Sequence, residues 1–405
     1  MTLSRFGRIS KAFVVSVAIG LGMTACGGGT IGYMWVLGTQ YNQIAGFKID
    51  DFTGNLTATV NSPYSSGGTN PVSIVVKPGG RFVFVINKGN ATVAGNIAVF
   101  SVGDDGILTY EQTYSSAGST PVWASTDGTG NFLYVLDQQC TACADYATKA
   151  NGDITVFAID GTTGRLQLVP NQNVKNAAGQ QLNYFEVGYK PTMFRVGGGS
   201  CVYTLDSDQS IFPYSVGSGG QLVLPANSVY QTGAVNLTSL NVGGNSIYLT
   251  DALTGNVPGV VYPYTPGTNC SLSVQQGGAV ANLPLTADPS YSLTDSKGKY
   301  LYVVNHSTTN SQNANSSISA FTIDPTTGRL QGLSDVANPY AVGNGPVCMI
   351  EDPSSQYVYT SNYIDGTVTG KVINQNTGQL SDMTRGSTFP AVGLATCLTV
   401  SGVVD

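Results

Sequence analysis

The sequence predicts an all-β protein, and three features of its 405 residues indicate this fold class. The first is composition: glycine contributes 51 residues and tyrosine 22, while only 10% of the residues are charged. Such a chain suits short strands and tight turns, because long surface helices need many Glu, Lys and Arg residues on their water-facing side. The second and third features are a strand motif and a turn motif that recur along the chain.

The recurring strand is a short apolar segment that ends in a polar residue. Six copies end at Asn87, Asp137, Asp206, Asp251, Asn305 and Asn362. Successive copies lie 45 to 69 residues apart, and the segment from Tyr33 to Gly38 supplies an earlier, seventh copy. A period of this length is typical of propellers and solenoids, in which each repeat is one supersecondary unit.

The surroundings of each copy predict three further strands per repeat. A glycine-rich or Asp-Gly turn precedes the motif strand, and a short strand that often begins at proline precedes that turn. These prolines are Pro71, Pro121, Pro191 and Pro346. A strand with alternating apolar residues follows, and a Thr-Gly-x-Leu turn, such as residues 163–166, leads into a fourth strand. Seven repeats of four antiparallel strands predict a seven-bladed β-propeller.

The two ends of the chain predict how this ring closes. The first copy has no strand on its inner side, since only a glycine-rich segment precedes Tyr33 directly. Residues 395–400 form a strand that has no repeat of its own. Each blade has two apolar faces that only its neighbours can cover, so we expect residues 395–400 to complete the blade begun by residues 31–60. The propeller domain is then residues 31–405.

The first 30 residues have the pattern of an exported protein. Three basic residues precede the apolar stretch 12–21, and the small residues Thr24 and Ala25 lead into Cys26. This pattern resembles the bacterial lipoprotein signal, which implies that residues 1–25 are removed and that Cys26 is lipidated. Residues 26–30 are then a glycine-rich tether. The expected location is the cell envelope, at the outer membrane or facing the periplasm; ordinary secretory cleavage near Ala25 is the alternative.

An even number of cysteines remains after Cys26, which predicts three disulfides in an oxidising compartment. The spacing Cys140-x-x-Cys143 is most simply a local loop staple, because a redox motif needs a strand–helix setting and a zinc site needs a second ligand pair. Cys348 and Cys397 hold matching positions on successive inner strands, which predicts a bond between them. The pairing left by elimination is Cys201 with Cys270.

Charge and histidine content argue against several classes of function. A net charge of −6 and the absence of a basic stripe make nucleic acid a poor partner. His306 is the only histidine, so a multi-histidine metal site is impossible. We therefore expect no metal, no cofactor and no nucleic acid, and we expect a monomer that meets the membrane through its lipid anchor.

The motifs resemble a known family. The Tyr-Val-x-Asn strand, the Asp-x-x-Thr-Gly-x-Leu turn and the period near fifty residues resemble the seven-bladed lactonase-like propellers, which include the 6-phosphogluconolactonase type and the YVTN-repeat surface proteins. The resemblance covers about residues 31–400 and implies the propeller fold. The lactonase branch carries an Arg-His pair just after the proline that opens an inner strand. None of the matching stretches has this pair, so no catalytic residue is carried over.

Candidate site residues come from the predicted geometry. Loops that surround the channel mouth usually form the binding face of a propeller. His306 lies on that face, and its ordinary pKa near 7 suits a general base, although an exposed loop histidine is the alternative. Glu186, Lys190 and Arg195 fall near the channel-side start of the fourth blade. They could bind or polarise a carboxyl or lactone carbonyl, or they could form ion pairs inside the channel.

Two functions remain open. The first is a binding or scaffold module that offers its channel mouth to a protein, peptide, glycan or small lactone. The long loops 138–151 and 306–317 could extend this recognition surface, or they could be tolerated insertions. The second is a lactone hydrolase in which water attacks a carbonyl polarised by Arg195 or Lys190, with Glu186 or His306 as base.

Overall fold

The structure is a computed structural model. It describes residues 29–143, 146–197, 200–225, 229–252, 254, 257–281, 287–306 and 316–403. These residues form a ring of seven antiparallel sheets, which confirms the predicted seven-bladed propeller. The leader, Cys26 and most of the tether lie outside the described residues. Within the described ranges, no helix has the length and apolar character needed to cross a membrane.

Each blade has an inner, a second, a third and an outer strand, and the blades are numbered here in chain order. The strands are given from the inner to the outer edge. Blade 1 contains Ala395–Gly402, Thr30–Gly38, Gln43–Asp50 and Leu56–Ala58, and blade 2 contains Pro71–Val76, Phe82–Asn87, Asn96–Val102 and Leu108–Tyr114. Blade 3 contains Ser119–Thr126, Phe132–Gln139, Asn151–Ile159 and Leu166–Leu168, and blade 4 contains Met193–Gly197, Cys201–Leu205, Ser210–Val216 and Leu222–Val223. Blade 5 contains Leu237–Gly243, Ser246–Asp251, Val260–Pro266 and Leu272–Val274. Blade 6 contains Pro289–Thr294, Tyr300–Asn305, Ser317–Ile323 and Leu330–Gly332. Blade 7 contains Pro346–Glu351, Tyr357–Asn362, Thr367–Ile373 and Leu380–Asp382.

In most blades the outer position is occupied by two separate short strands, which the sequence did not predict. Six blades carry a further short segment that pairs with the third strand: Tyr64–Ser65, Phe185–Tyr189, Tyr230–Gln231, Val280–Ala281, Tyr340–Ala341 and Thr388–Pro390. In blade 2 the continuous strand Leu108–Tyr114 occupies both positions, with a register shift opposite Val99 and Phe100. The remaining elements are the hairpin Asn171–Lys175 with Gln181–Leu182, the helix Tyr146–Lys149, and the 3-10 turns Thr39–Tyr41, Ser218–Gly220 and Thr268–Cys270.

The ring closes as predicted. Residues Ala395–Gly402 pair antiparallel with Thr30–Gly38, so that Trp35 lies opposite Thr399 and Val36 opposite Leu398. The chain's C-terminal strand is therefore the inner strand of its first blade. This arrangement leaves neither the first nor the last blade with a bare apolar face.

The motif residues hold consecutive blades together. The tyrosines of the recurring strand are buried, and three of them donate a hydrogen bond to the glycine carbonyl of a Thr-Gly turn in the next blade. The pairs are Tyr248 with Gly328 at 2.9 Å, Tyr302 with Gly378 at 2.9 Å and Tyr359 with Gly54 at 2.6 Å. In blade 1 the indole of Trp35 takes this role and donates to Gly106 of blade 2 at 3.1 Å. Strand motif and turn motif are thus two halves of one interblade contact.

Candidate functional site

A cavity of about 400 Å³ opens at the mouth of the central channel. Its lining comes from blades 1, 2, 3, 6 and 7 and comprises Val72, Trp123, Tyr291, His306, Val347, Cys348, Tyr363, Thr396 and Cys397. Most of these side chains are apolar or aromatic, and only a few polar groups are available. This combination is typical of a small-molecule site, in which apolar walls supply contact area and a few polar groups orient the ligand.

Strand register brings the lining residues to one level. Trp123 lies opposite Leu136, Tyr291 opposite Val304 and Cys348 opposite Ser361. Each of these partners directly precedes the polar residue that ends the motif strand. Equivalent positions of three inner strands therefore form one layer, and they surround the axis because inner strands converge there.

Arg195 is held by two of the lining rings. It lies on the inner strand of blade 4, and its guanidinium carbon is 4.7 Å from the ring centre of Trp123 and 5.5 Å from that of Tyr291. Its Nη2 atom donates a hydrogen bond to the Tyr291 hydroxyl at 2.6 Å. Both rings attract the cation through their π faces. The guanidinium of Arg195 is thus held against two rings that line the cavity.

His306 lines the same cavity and is half-buried. Burial lowers the pKa of its imidazole from the ordinary value of 6.5, and the negative charge of Asp288 opposes that shift only in part. The ring is therefore mainly neutral at pH 7 and can accept a proton. Its backbone N–H donates to the carbonyl of Asp288 at 2.7 Å.

The other two candidate residues lie elsewhere. Glu186 accepts a hydrogen bond from Asn151 Nδ2 at 2.7 Å and lines a separate cavity between the outer parts of blades 3 and 4. Lys190 places its ammonium 5.1 Å from the ring centre of Tyr189. The structure therefore places His306 in the lining of the axial cavity and Arg195 against two of its lining rings, and it places Glu186 and Lys190 outside the cavity.

Sequence reasoning missed the aromatic clamp, which is the pair of rings of Trp123 and Tyr291 that holds the Arg195 guanidinium. Trp123 and Tyr291 each lie two residues after a proline of an inner strand, Pro121 and Pro289, and Cys348 has the same offset from Pro346. The Arg-His pair of the lactonase branch is absent from those stretches. A comparison of the residue two places after each proline would have shown that aromatic and sulfur side chains collect at one level of the channel.

The cysteine pairs are in different states. Cys140 is bonded to Cys143, and Cys201 is bonded to Cys270, as predicted. Cys348 and Cys397 are thiols in this structure, and their sulfur atoms are 3.2 Å apart. The predicted neighbourhood of this third pair is thus present, while the bond itself stays a prediction. In the described part of the chain, no cluster of three or more His, Cys, Asp or Glu side chains is arranged to hold a metal ion.

The fold and the axial cavity define a seven-bladed propeller with a largely apolar cavity at its channel mouth. The family model described as "Lactonase, 7-bladed beta-propeller" matches residues 30–179 and 271–391. The chain belongs to this lactonase family. Among curated protein sequences, none matches this chain.

Solved structures agree on the fold. A candidate 6-phosphogluconolactonase from Bacteroides fragilis is 18% identical, with a TM-score of 0.67 over 91% of this chain and 98% of that one. The periplasmic gluconolactonase of Pseudomonas aeruginosa is 16% identical, with a TM-score of 0.65 over 92% of this chain and 99% of that one. A protein from Lactobacillus plantarum is 16% identical, with a TM-score of 0.67 over 92% and 100% of the two chains. At these identities the likeness establishes the fold alone.

Proposed function

We propose that the protein is an extracytoplasmic binding propeller that holds a small organic molecule in its axial cavity and recognises a carboxylate or a lactone carbonyl. The observation that carries the proposal is the clamped guanidinium of Arg195, held against two aromatic residues that line the cavity. Among the described residues we find no carboxylate paired with it. A guanidinium held in place is suited to charge-assisted hydrogen bonds with a ligand oxygen.

Calorimetric titration would test this binding function. The panel would contain sugar lactones, the corresponding hydroxy acids and neutral sugars of the same size. We expect lactones or acids to bind and neutral sugars to bind more weakly. Arg195→Met should weaken binding at least about tenfold, or ~1.4 kcal/mol.

Arg165→Met is the matched control, because Arg165 is an exposed residue of a Thr-Gly turn far along the sequence from every cavity-lining residue. It should bind like the unmodified protein. Absence of binding by the whole panel, or equal affinity in both arginine variants, would contradict the proposal.

Lactone hydrolysis is the second candidate function. It is favoured by the position of the neutral His306 imidazole in the same cavity as the aromatic clamp of Arg195. His306 would take a proton from water as the oxygen attacks the carbonyl, while Arg195 stabilises the negative charge that develops on the carbonyl oxygen. The ring C–O bond then breaks, the leaving ring oxygen takes the proton from His306, and the lactone opens to a hydroxy acid.

Turnover assays distinguish hydrolysis from binding alone. A hydrolase of this kind should lose most of its kcat in His306→Gln and retain its affinity for the product acid. Because burial lowers the pKa of His306 from 6.5, the rate should be half-maximal below pH 6.5 and should level off at higher pH. Full activity in His306→Gln would remove His306 as the base, and a panel with no turnover would leave binding as the function.

The proposed location rests on three observations. The first 26 residues resemble a lipoprotein signal, two disulfides are formed, and disulfides persist in oxidising compartments. One solved neighbour is named a periplasmic gluconolactonase. Radiolabelled palmitate should label the protein in cells, and Cys26→Ser should abolish the label; label that survives this change would contradict the anchor.

A further inference from the structure

We propose that Cys348 and Cys397 form a redox-active dithiol on the wall of the axial cavity, which exchanges with small organic disulfides that enter through the channel mouth. The proposal is independent of the binding and hydrolytic functions above. It concerns the one cysteine pair that is not bonded in this structure.

The geometry separates this pair from the other two. Cys348 lies on the inner strand of blade 7, and Cys397 lies on the C-terminal strand that completes blade 1. Their sulfur atoms are 3.2 Å apart, and both residues line the cavity. A disulfide therefore requires only small side-chain movements, because neighbouring strands already supply the proximity. The bonded cysteines in blades 3, 4 and 5 do not line this cavity.

The surroundings of the two thiols differ, and the difference identifies the attacking sulfur. The Cys397 thiol, the Leu398 backbone N–H, the Arg195 guanidinium and the Tyr291 hydroxyl together lower the pKa of Cys348 to about 7, although burial opposes them. The hydrogen bond to Cys348 and burial raise the pKa of Cys397. Because the thiolate is the nucleophile in exchange, Cys348 attacks first and Cys397 acts second.

The chemistry balances with a small disulfide, R–S–S–R, as oxidant. The Cys348 thiolate attacks one sulfur, the S–S bond of the small molecule breaks, and the first R–S⁻ leaves and takes up the proton released by Cys348. Cys397 then loses its proton and attacks the Cys348 sulfur of the mixed disulfide, and the second R–SH leaves. Two protein thiols become one disulfide, and one small disulfide becomes two small thiols.

Oxidation would also link two neighbouring blades of the propeller covalently. The new bond would tie the inner strand of blade 7 to the strand that closes blade 1, at the seam where the propeller is completed. The oxidised protein should therefore melt at a higher temperature than the reduced one. The thiol wall of the cavity would be replaced by a disulfide beside the Arg195 clamp.

The test uses the mature chain and 2-hydroxyethyl disulfide, a compact neutral probe. After mild reduction, the unmodified protein should lose two hydrogen atoms at Cys348 and Cys397 by mass spectrometry, while the other two disulfides remain. Cys397→Ser should accumulate a mixed disulfide at Cys348. Cys348→Ser should react at Cys397 more slowly, because burial still raises the pKa of that thiol after the hydrogen bond to Cys348 is lost.

The pH dependence adds a second readout. In Cys397→Ser the partner thiol is missing, so the rate of reaction at Cys348 should have its pH midpoint above 7. Adding Arg195→Met to that variant should move the midpoint to a still higher pH. Circular dichroism would show that each variant is folded. Equal rates at both cysteines, no adduct in a folded Cys397→Ser protein, or a Cys348–Cys397 bond that resists reductant until the protein unfolds would each overturn the proposal.

Discussion

Blades 2 and 3 place different side chains in the same corner, where the second strand ends and the third begins. In blade 2, Asn87 lies opposite Asn96, and Asn87 Nδ2 donates to Asn96 Oδ1 at 2.9 Å and to the Ser66 carbonyl at 3.0 Å. In blade 3, Asp137 lies opposite Asp153, and both carboxyl groups are fully buried. One corner pairs two neutral amides, and the other confines two acids.

The two corners show what the repeat requires and what it tolerates. Burial raises the pKa of Asp137 to about 7, and burial together with the neighbouring Asp137 raises that of Asp153. At least one of the two acids therefore retains its proton near neutral pH. The position needs a polar group that can hydrogen bond, and the crowded acid pair of blade 3 occupies it by retaining a proton.

In each corner, a glycine of the segment that precedes the inner strand packs against the side-chain pair. A Cβ atom added to Gly68 would lie 2.6 Å from Asn87 Cγ, and one added to Gly118 would lie 2.2 Å from Asp153 Oδ2. Both glycines stand three residues before the proline that opens or begins the inner-strand segment, at Pro71 and Pro121. The linker backbone thus packs directly on the side-chain pair and leaves no room for a solvating shell.

The largest expected effect comes from giving blade 2 the acid of blade 3. Asn87→Asp removes the two donated hydrogen bonds and buries a carboxylate among acceptors. We expect the free energy of unfolding to fall by about 3 kcal/mol at pH 8, and by less at pH 5, where the acid is protonated in the folded state. Urea denaturation at both pH values would measure this.

Asn90→Asp is the matched control for that change, since Asn90 is exposed in the loop that follows. It should alter stability by less than about 0.5 kcal/mol. An Asn87→Asp protein as stable as this control would show that the corner is hydrated, and the contrast between the blades would then be wrong.

The reverse change in blade 3 should stabilise the protein. The pKa of Asp137 is raised from 3.8 to about 7 on folding, so the unfolded state loses its proton first as the pH rises. The free energy of unfolding therefore falls between about pH 4 and pH 7 on account of this group. Asp137→Asn should remove that loss and add about 2 kcal/mol at pH 8, with little change at pH 4.

Stability curves at pH 4, 6 and 8 would check this prediction. Part of the slope should remain in the variant, because burial also raises the pKa of Asp206 in blade 4, to about 8. Asp104→Asn, at an exposed turn residue of blade 2, is the control and should leave the slope unchanged. A parallel shift of the Asp137→Asn curve at all three pH values would contradict the assigned cause.

The propeller could be predicted because its motif residues make contacts both within their own blade and with the next blade. Tyr302 packs inside its own blade and also bonds Gly378 of the next, so one repeat encodes both contacts. The site could not be predicted in the same way, because Trp123 and Tyr291 differ from the residues at equivalent positions and meet Arg195 only after three blades are in place. Nearness in sequence was misleading for Glu186, which precedes the inner strand and lies at the outer edge of blade 3.

The smallest effect tests whether the disulfide of blade 3 maintains its acidic corner. Cys140 and Cys143 pack with Tyr184 in a small cluster that also contacts Ala117, the neighbour of Gly118. Their sequence separation is only 3, so the bond restrains little chain entropy. Replacing both by serine should cost about 1 kcal/mol, near the lower end for a disulfide, and should leave the pH dependence of stability intact. A variant in which the slope between pH 4 and pH 7 disappears would instead show that the staple keeps water from Asp137 and Asp153, and that the two blades differ because of the loop rather than because of the acids.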